Sequence, residues 1–336
     1  MPTYVVTGGA GFIGSNFVRL ALEQDPSLRL VDIDLLTYAG NLENLQGVPA
    51  DRHTFVRADI TDPGAMADAV PEGADVLINF AAETHVDRSI LGPLAFVRTN
   101  VLGTQVLLDT ARARGVGRYV QVSTDEVYGS LGPDDPPFTE SSPLAPSSPY
   151  AASKAGADHL VLAAHRTWGQ DVCVTRCSNN YGPYQFPEKL IPLMVSNALE
   201  GQPLPVYGDG RQVRDWIHTD DHSRAILAVV ARGKPGAVYN VGARSERYNI
   251  DVVRAILASL GKGESLIRFV TDRPGHDRRY AIDPTHIQTE LLWRPQVAFE
   301  DGLERTIRWY RDHPDWWRRI KDGSYREFYD KWYGDR

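Results

Sequence analysis

The sequence predicts an α/β protein built on a doubly wound parallel sheet, with a smaller, mostly C-terminal α/β lobe that holds substrate. Three observations carry this. Residues 3–178 alternate short apolar strands with helical segments. A glycine-rich turn joins the first strand to the first helix. After Ser178 the alternation loosens, and Pro, Gly and aromatic residues enter the loops.

The elements follow in order. "TYVVT" (3–7) reads as a strand and "GSNFVRLALEQ" (14–24) as an amphipathic helix. "LRLVDID" (28–34), "HTFVRAD" (53–59) and "ADVLINFAA" (74–82) read as three more strands. A helix is predicted over 96–115, a strand over 117–123, a long Ala-rich helix over 149–169 and a strand over 170–178. Strands this short and apolar suit a parallel sheet covered by helices on both faces. The boundary near Ser178 is not a single linker. "TDDHSRAILAVVARG" and "AVYNVG" read as a helix and strand returning to the first lobe near 219–242. The organisation expected is therefore 1–178, with that return segment, as the nucleotide-binding domain, and 179–336 as an interleaved second lobe.

Composition narrows the function classes. The chain has 336 residues, 42% of them apolar, enough to bury one large α/β unit or two joined domains. A formal net charge of −7 leaves no basic surface for nucleic acid. The aromatic and basic C-terminal stretch beginning at Trp316 is interrupted by acids, so a helix packing Trp and Tyr onto the body is expected there, not a single-strand-binding tail. No apolar run approaches the roughly 20 residues that span a bilayer. Two cysteines, Cys173 and Cys177, form no disulfide framework, and no leader is evident, so a cytoplasmic location is expected.

"VVTGGAGFIG" places Gly8, Gly11 and Gly14 between a strand and a helix. Glycine there permits a tight turn and lets backbone N–H groups approach a pyrophosphate at the helix N-terminus. The spacing is G-x-x-G-x-x-G, and its strength comes from context. An acid follows about 20 residues on, at the end of the second strand. Asp32 and Asp34 both qualify, and strand alternation does not separate them. Asp34 lies nearer the carboxyl end, where ligands bind in such sheets, and is preferred. An acid there accepts hydrogen bonds from an adenosine ribose and disfavours a 2′-phosphate, which predicts NAD in a Rossmann-like site. Asp59 and Ile60 follow the third strand, where the adenine would lie. Ala81 and Ala82 follow the fourth, small enough to leave room for the dinucleotide.

Tyr150 and Lys154 form Y-x-x-x-K at the start of the long helix, so both side chains share one face. A nearby ammonium favours the phenolate, which predicts a Tyr base for deprotonating an alcohol as hydride moves. Just upstream, "STDEVYG" sets Asp125 and Glu126 side by side where a core strand ends. Adjacent residues on a regular strand face opposite ways, so the chain must turn at Asp125 for both to reach one ligand.

These features resemble the extended short-chain dehydrogenase/reductase superfamily and, within it, the dTDP-glucose 4,6-dehydratase family. The resemblance covers nearly the whole chain. It rests on "TGGAGFIGSNF", "LLTYAGNLENL", "AAETHVDRSI", "STDEVYG", "YAASKAGADHL", "RCSNNYGPYQFPEKLIP", "VYGDGRQVRDWIH" and "RPGHDRRYAID". The two acids and the "NNYGPYQFPEKLIP" loop are the specific parts. The resemblance implies a lyase that oxidises C4 of dTDP-glucose, eliminates water across C5–C6 and reduces C6, with bound NAD recycled. In that scheme Tyr150 takes the C4 hydroxyl proton beside Thr124. Glu126 removes the C5 proton, and a protonated Asp125 donates to the departing C6 hydroxyl. Adjacent carboxyls divide those roles because each charge raises the other's pKa.

The resemblance also implies a wider set of ligand residues. For NAD it adds Phe12, Ile13, Leu36, Thr37, Thr99 and Asn179. For the sugar nucleotide it implies His85, Asn179, Glu188, Lys189 and Leu190, with Pro205 and Tyr207 flanking the base. Arg214 and Arg273 would clamp phosphate, and Asn249, His276, Asp277 and Tyr280 would complete the pocket. His85 and Glu83 would lie near the nicotinamide or the sugar, or Glu83 would serve as a structural ion-pair partner. A homodimer built on the helices near 96–115 and 149–169 is expected from the family. A 4-epimerase or decarboxylase of UDP-sugars would share Tyr150, Lys154 and NAD but needs no acid pair. A non-catalytic NAD-binding regulator would need no activated phenol. "HTDDH" (218–222) offers two His at i, i+4, but its acids suit a helix start and no metal is expected.

Overall fold

The computed structural model describes residues 1–272 and 275–322. Its strands are β1 (Thr3–Thr7), β2 (Arg29–Asp34), β3 (His53–Arg57), β4 (Val76–Asn79), β5 (Arg118–Thr124) and β6 (Val172–Cys177). They continue as β7 (Asn179–Tyr181), β8 (Leu204–Tyr207), β9 (Val213–His218), β10 (Val238–Val241), β11 (Glu246–Tyr248) and β12 (Ile267–Val270). Seven of them form one sheet in the order β10-β6-β5-β4-β1-β2-β3, every pair parallel. Strand alternation sends Val6, Ile78 and Val120 into a core on one face and Val5, Leu77 and Tyr119 into a core on the other. That two-sided burial is why these strands read as continuous apolar runs. The sequence runs outward in both directions from β1, so the order reverses between β1 and β4. A crevice opens there at the carboxyl ends of the strands.

The helices Phe12–Gln24 and Thr219–Arg232 pack side by side over one face, and β10 then adds the seventh strand. The helix Pro149–Trp168 is delimited by local chemistry. The Ser148 hydroxyl accepts from Ala151 N at 3.1 Å, Pro149 occupies the first turn and Gly169 closes the end with φ 67°. The helix predicted over 96–115 is continuous but not uniformly α-helical. It runs as Pro93–Phe96, a π-helical stretch Val97–Leu102 and Gly103–Ala113. The wider turn carries the buried Asn100, whose amide bridges Glu83 O at 3.0 Å and Ser153 Oγ at 2.8 Å. Periodicity alone does not reveal such a bulge.

The second lobe holds a three-stranded sheet, β11-β9-β7, and a parallel pair, β12-β8, around its own apolar core. Trp316 and Trp317 are buried in that core. Their ring N–H groups donate to Asn44 Oδ1 at 2.9 Å and Tyr310 O at 2.8 Å. The later aromatic residues of the C-terminal stretch lie outside the described residues. No helix among the described residues is long and apolar enough to cross a membrane.

Candidate active site

One cleft runs along the carboxyl ends of the parallel strands, and glycine shapes its floor. Gly8 sits at φ 75°, and a Cβ there would lie 2.6 Å from Ala81 N. A Cβ at Gly14 would lie 2.2 Å from Gly8 O, so any side chain would push the helix Phe12–Gln24 off the turn. Gly11 is the N-cap of that helix and bears no side chain to fill the helix mouth. Asp34 faces the cleft, with one carboxyl oxygen accepting from Ala10 N at 3.1 Å and the other from Leu36 N at 2.8 Å. Burial outweighs these donors and lifts its pKa to about 6. Asp32 is not a lining residue; it holds Gly9 N at 3.0 Å from below the loop.

Phe12, Ile13, Thr37, Asp59, Ile60, Ala81, Ala82, Thr99 and Asn179 all line the cleft. Leu36 does not. It turns through φ 58° and packs against the core, so its neighbours Leu35 and Thr37 face the opening instead. Ser123, Ser178, Asn180, Gln185 and Phe186 were not anticipated. The first two directly precede Thr124 and Asn179, so the strand-end rule applied to those neighbours would have found them. Among the lining residues, Ser123 Oγ, Ser178 Oγ and Asn179 Oδ1 are buried polar atoms with no protein partner. An apolar cleft with a glycine cradle at one end and unpartnered polar atoms at the other fits a dinucleotide.

The acid pair enters the cleft because β5 stops. Thr124 is the N-cap of a short 3₁₀ turn, Asp125–Tyr128, and its hydroxyl oxygen accepts from Glu126 N at 3.2 Å. The chain turns at Asp125 as pleat geometry requires, and both acids line the cleft. Asp125 is buried. One oxygen accepts from the Thr124 hydroxyl at 3.3 Å, and Oδ2 has no partner. Burial first, then the charges of Glu126 and Asp215, push its pKa well above the usual carboxylate range, opposed by Arg214. Asp125 is thus a buried carboxyl biased toward its protonated form, with an uncommitted oxygen.

Tyr150 and Lys154 line the same cleft. Lys154 Nζ donates to Val122 O at 2.7 Å, and burial pushes its own pKa down. The Tyr150 phenol is pushed well above its ordinary value, chiefly by burial and then by Glu126, with a hydrogen bond to Thr124 opposing.

Of the expected sugar-nucleotide residues, Asn179, Glu188 and Lys189 line the cleft. His85 stands beside it, its Nε2 4.0 Å from Glu188 Oε2. Glu83 lines the cleft, and its backbone is fixed by Asn100. Leu190 is not at the cleft: it opens the helix Leu190–Glu200 and packs on the second core, where an apolar side chain belongs. The others gather in the second lobe. Pro205 and Tyr207 lie on β8, and Tyr207 Oη donates to Asp87 Oδ2 at 3.0 Å. Arg214 is buried, donates to Val213 O and Asp277 O, and lies over the Tyr280 ring at 4.2 Å. The Asp277 carboxylate accepts from Ser147 Oγ and Tyr280 Oη. His276 meets the Tyr207 ring edge-on, and its Nδ1 lies 2.6 Å from Asp272 Oδ1. Asn249 Oδ1 is buried without a partner. Arg273 lies outside the described residues.

Among the described residues no group of His, Cys, Asp or Glu is arranged to hold a metal ion. In "HTDDH", His218 caps the helix Thr219–Arg232, His222 bonds Asn180, and Asp221 accepts from Gln296 N and Val297 N.

Residues 5–306 match the family model described as GDP-mannose 4,6 dehydratase. A dTDP-glucose 4,6-dehydratase of Xanthomonas campestris pv. campestris is 53% identical over 346 residues, covering 97% of this chain and 98% of its own. A solved dTDP-glucose 4,6-dehydratase from Streptomyces venezuelae, with NAD and TYD bound, superposes with a TM-score of 0.92 at 55% identity. It covers 95% of this chain and all of its own. A Bacillus anthracis dTDP-glucose 4,6-dehydratase in complex with NAD gives 0.88 at 46% identity, over 96% of this chain and 100% of that one.

Proposed function

The chain belongs to the dTDP-glucose 4,6-dehydratase family, and we propose that it converts dTDP-glucose to dTDP-4-keto-6-deoxyglucose and water, recycling bound NAD in each turnover. The observation that carries the reading is Asp125: a buried carboxyl with an unpartnered oxygen, next to Glu126 in the dinucleotide cleft. An epimerase needs no such pair.

NAD+, when bound, supplies the hydride acceptor and donor and a cationic ring whose charge favours a phenolate beside it. Gly8, Gly11 and Gly14 admit its pyrophosphate, and Asp34 takes its adenosine ribose. Asn179, Thr99, Ala81 and Ala82 bound its other end. Tyr150 takes the proton of the C4 hydroxyl, and Thr124 hydrogen-bonds that oxygen. Lys154 contributes a fixed ammonium held by Val122 O. Once C4 is a ketone, the C5 proton is acidic. Glu126 takes it, and Asp125 gives its own proton to the C6 oxygen, which leaves as water. The two acids end the elimination with their protonation exchanged, and the proton on Glu126 returns to C5 in the last step. The proton that Tyr150 took from the C4 hydroxyl balances the one that Asp125 gave up, and exchange with solvent restores both residues before the next turnover.

The division of labour proposed is residues 1–178 with the return segment for the cofactor, and 179–336 for the nucleotide diphosphate. Arg214, Tyr207, Pro205, Asn249, His276, Asp277 and Tyr280 would take the latter. The exposed Leu91, Leu94, Val97 and Leu102, with Trp168, support a homodimer across the two long helices. Two buried, unpaired cysteines support a cytoplasmic enzyme.

The test is a panel of nucleotide-glucoses given to the purified protein without added NAD. dTDP-glucose is expected to yield the 4-keto chromophore in base. Formation of dTDP-galactose alone would make the chain an epimerase.

A further inference from the structure

Three segments distant in the chain meet beside the cofactor loop. Tyr38, on the loop after Asp34, donates from Oη to Glu188 Oε1 at 3.1 Å across a separation of 150 residues. Arg88 Nε donates to the other oxygen, Glu188 Oε2, at 3.1 Å. The Arg88 guanidinium lies over the Tyr38 ring, 4.0 Å from its centroid, and Phe186 meets that ring edge-on at 5.3 Å. The Glu188 side chain is only 3% exposed, so both its oxygens are held in a single orientation away from water.

This contact closes a loop of protein around the cleft. Thr37, Ala39 and Gly40 line it from one side; Gln185, Phe186, Glu188 and Lys189 line it from the other. The second segment is tied at both ends, by Asn16 Nδ2 to Pro183 O at 3.0 Å and by Lys189 Nζ to Thr84 O at 3.0 Å. The Tyr38 hydroxyl joins the loop after β2 directly to the carboxyl expected to face the sugar diphosphate. Burial and the Glu188 charge hold that phenol protonated, so it remains a donor.

We propose that Tyr38 is a positioning residue which, through its hydroxyl on Glu188, couples retention of the dinucleotide to binding of the sugar diphosphate. The identity of the two ligands rests on the dehydratase reading above. Tyr38 touches no reacting atom. It fixes Glu188 for the sugar nucleotide, and the same bond keeps the segment from Pro183 to Lys189 from parting from the cofactor loop. Such coupling is reciprocal: each ligand strengthens the hold on the other by the same factor.

The experiment uses holoenzyme carrying Tyr38→Phe, which keeps the ring, its contact with Arg88 and its packing on Phe186. NAD release is timed after dilution into NAD-free buffer, and steady-state constants are measured with dTDP-glucose. Loss of one buried bond to a carboxylate is expected to speed release about tenfold and raise KM several-fold, with kcat within about twofold. Glu188→Ala should speed release by itself. Adding Tyr38→Phe to it should then change release by less than about twofold, because the acceptor is already gone. Wild-type release and KM in Tyr38→Phe would overturn the proposal, and so would an equal acceleration in both backgrounds. A chain that held NAD but ignored dTDP-glucose would refute the reaction, while the release rates would still decide whether the Tyr38 hydroxyl retains the dinucleotide.

Discussion

Asp34 and Asp125 are both buried carboxyls at the ends of parallel strands, yet the two ends of the cleft hold them differently. Asp34 has each oxygen fixed by a backbone N–H, from Ala10 and Leu36. Asp125 has one oxygen on Thr124 and the other on nothing. The first arrangement builds a rigid rim for a ligand that stays. The second, on the proposed mechanism, would supply a proton to a ligand that reacts. What separates a binding carboxyl from a chemical one is therefore partner count and neighbouring charge, not residue type or burial.

The comparison can be broken at several points. The largest effect is expected at Glu126→Gln, which removes the base for C5. Turnover should fall roughly 10³-fold, within the usual range for a positioned base, while the absorbance of reduced cofactor builds up on mixing with dTDP-glucose. Full turnover would remove Glu126 from the elimination.

Asp125→Asn comes next. The amide keeps the shape of a neutral acid but has no proton to give, so kcat should fall about 10²-fold with KM little changed. Gly14→Ala attacks the binding end instead. Its Cβ would meet Gly8 O at 2.2 Å, so the purified protein should hold at least about tenfold less NAD at limiting cofactor. A variant with a normal NAD content would show that the turn yields more readily than its geometry implies.

The smallest effect is on stability. Asp34 titrates near 6 in the fold, above the roughly 3.9 of an unfolded chain. Between those values the folded state binds more protons, so the stability of the cofactor-free protein should fall as pH rises from about 4 to about 6, then level off. Asp34→Asn should flatten that part of a denaturation profile. A wild-type profile rising through the same window would contradict the assignment.

How much of this was legible depended on how local each cause is. The glycine turn, the Ser148 cap and the Tyr150–Lys154 spacing are set within a few residues, and the chain displays them directly. Strand alternation implied that Asp125 must turn, and it does. The full surroundings of Asp125 were not legible, because Asp215 and Arg214 reach it from the other lobe. The surroundings of Tyr150 were less legible for a related reason. Helical spacing placed Lys154 on the right face but could not show that its ammonium also donates to Val122 O. The Tyr38–Glu188 contact left no local trace at all.

The central claim is that Asp125 carries a proton at neutral pH in the folded protein. Infrared difference spectroscopy between the native chain and Asp125→Asn at pH 7 tests it most directly. The account predicts loss of one protonated carboxyl C=O band. Loss of a carboxylate band instead would mean that Asp125 is ionised and cannot be the acid that releases water.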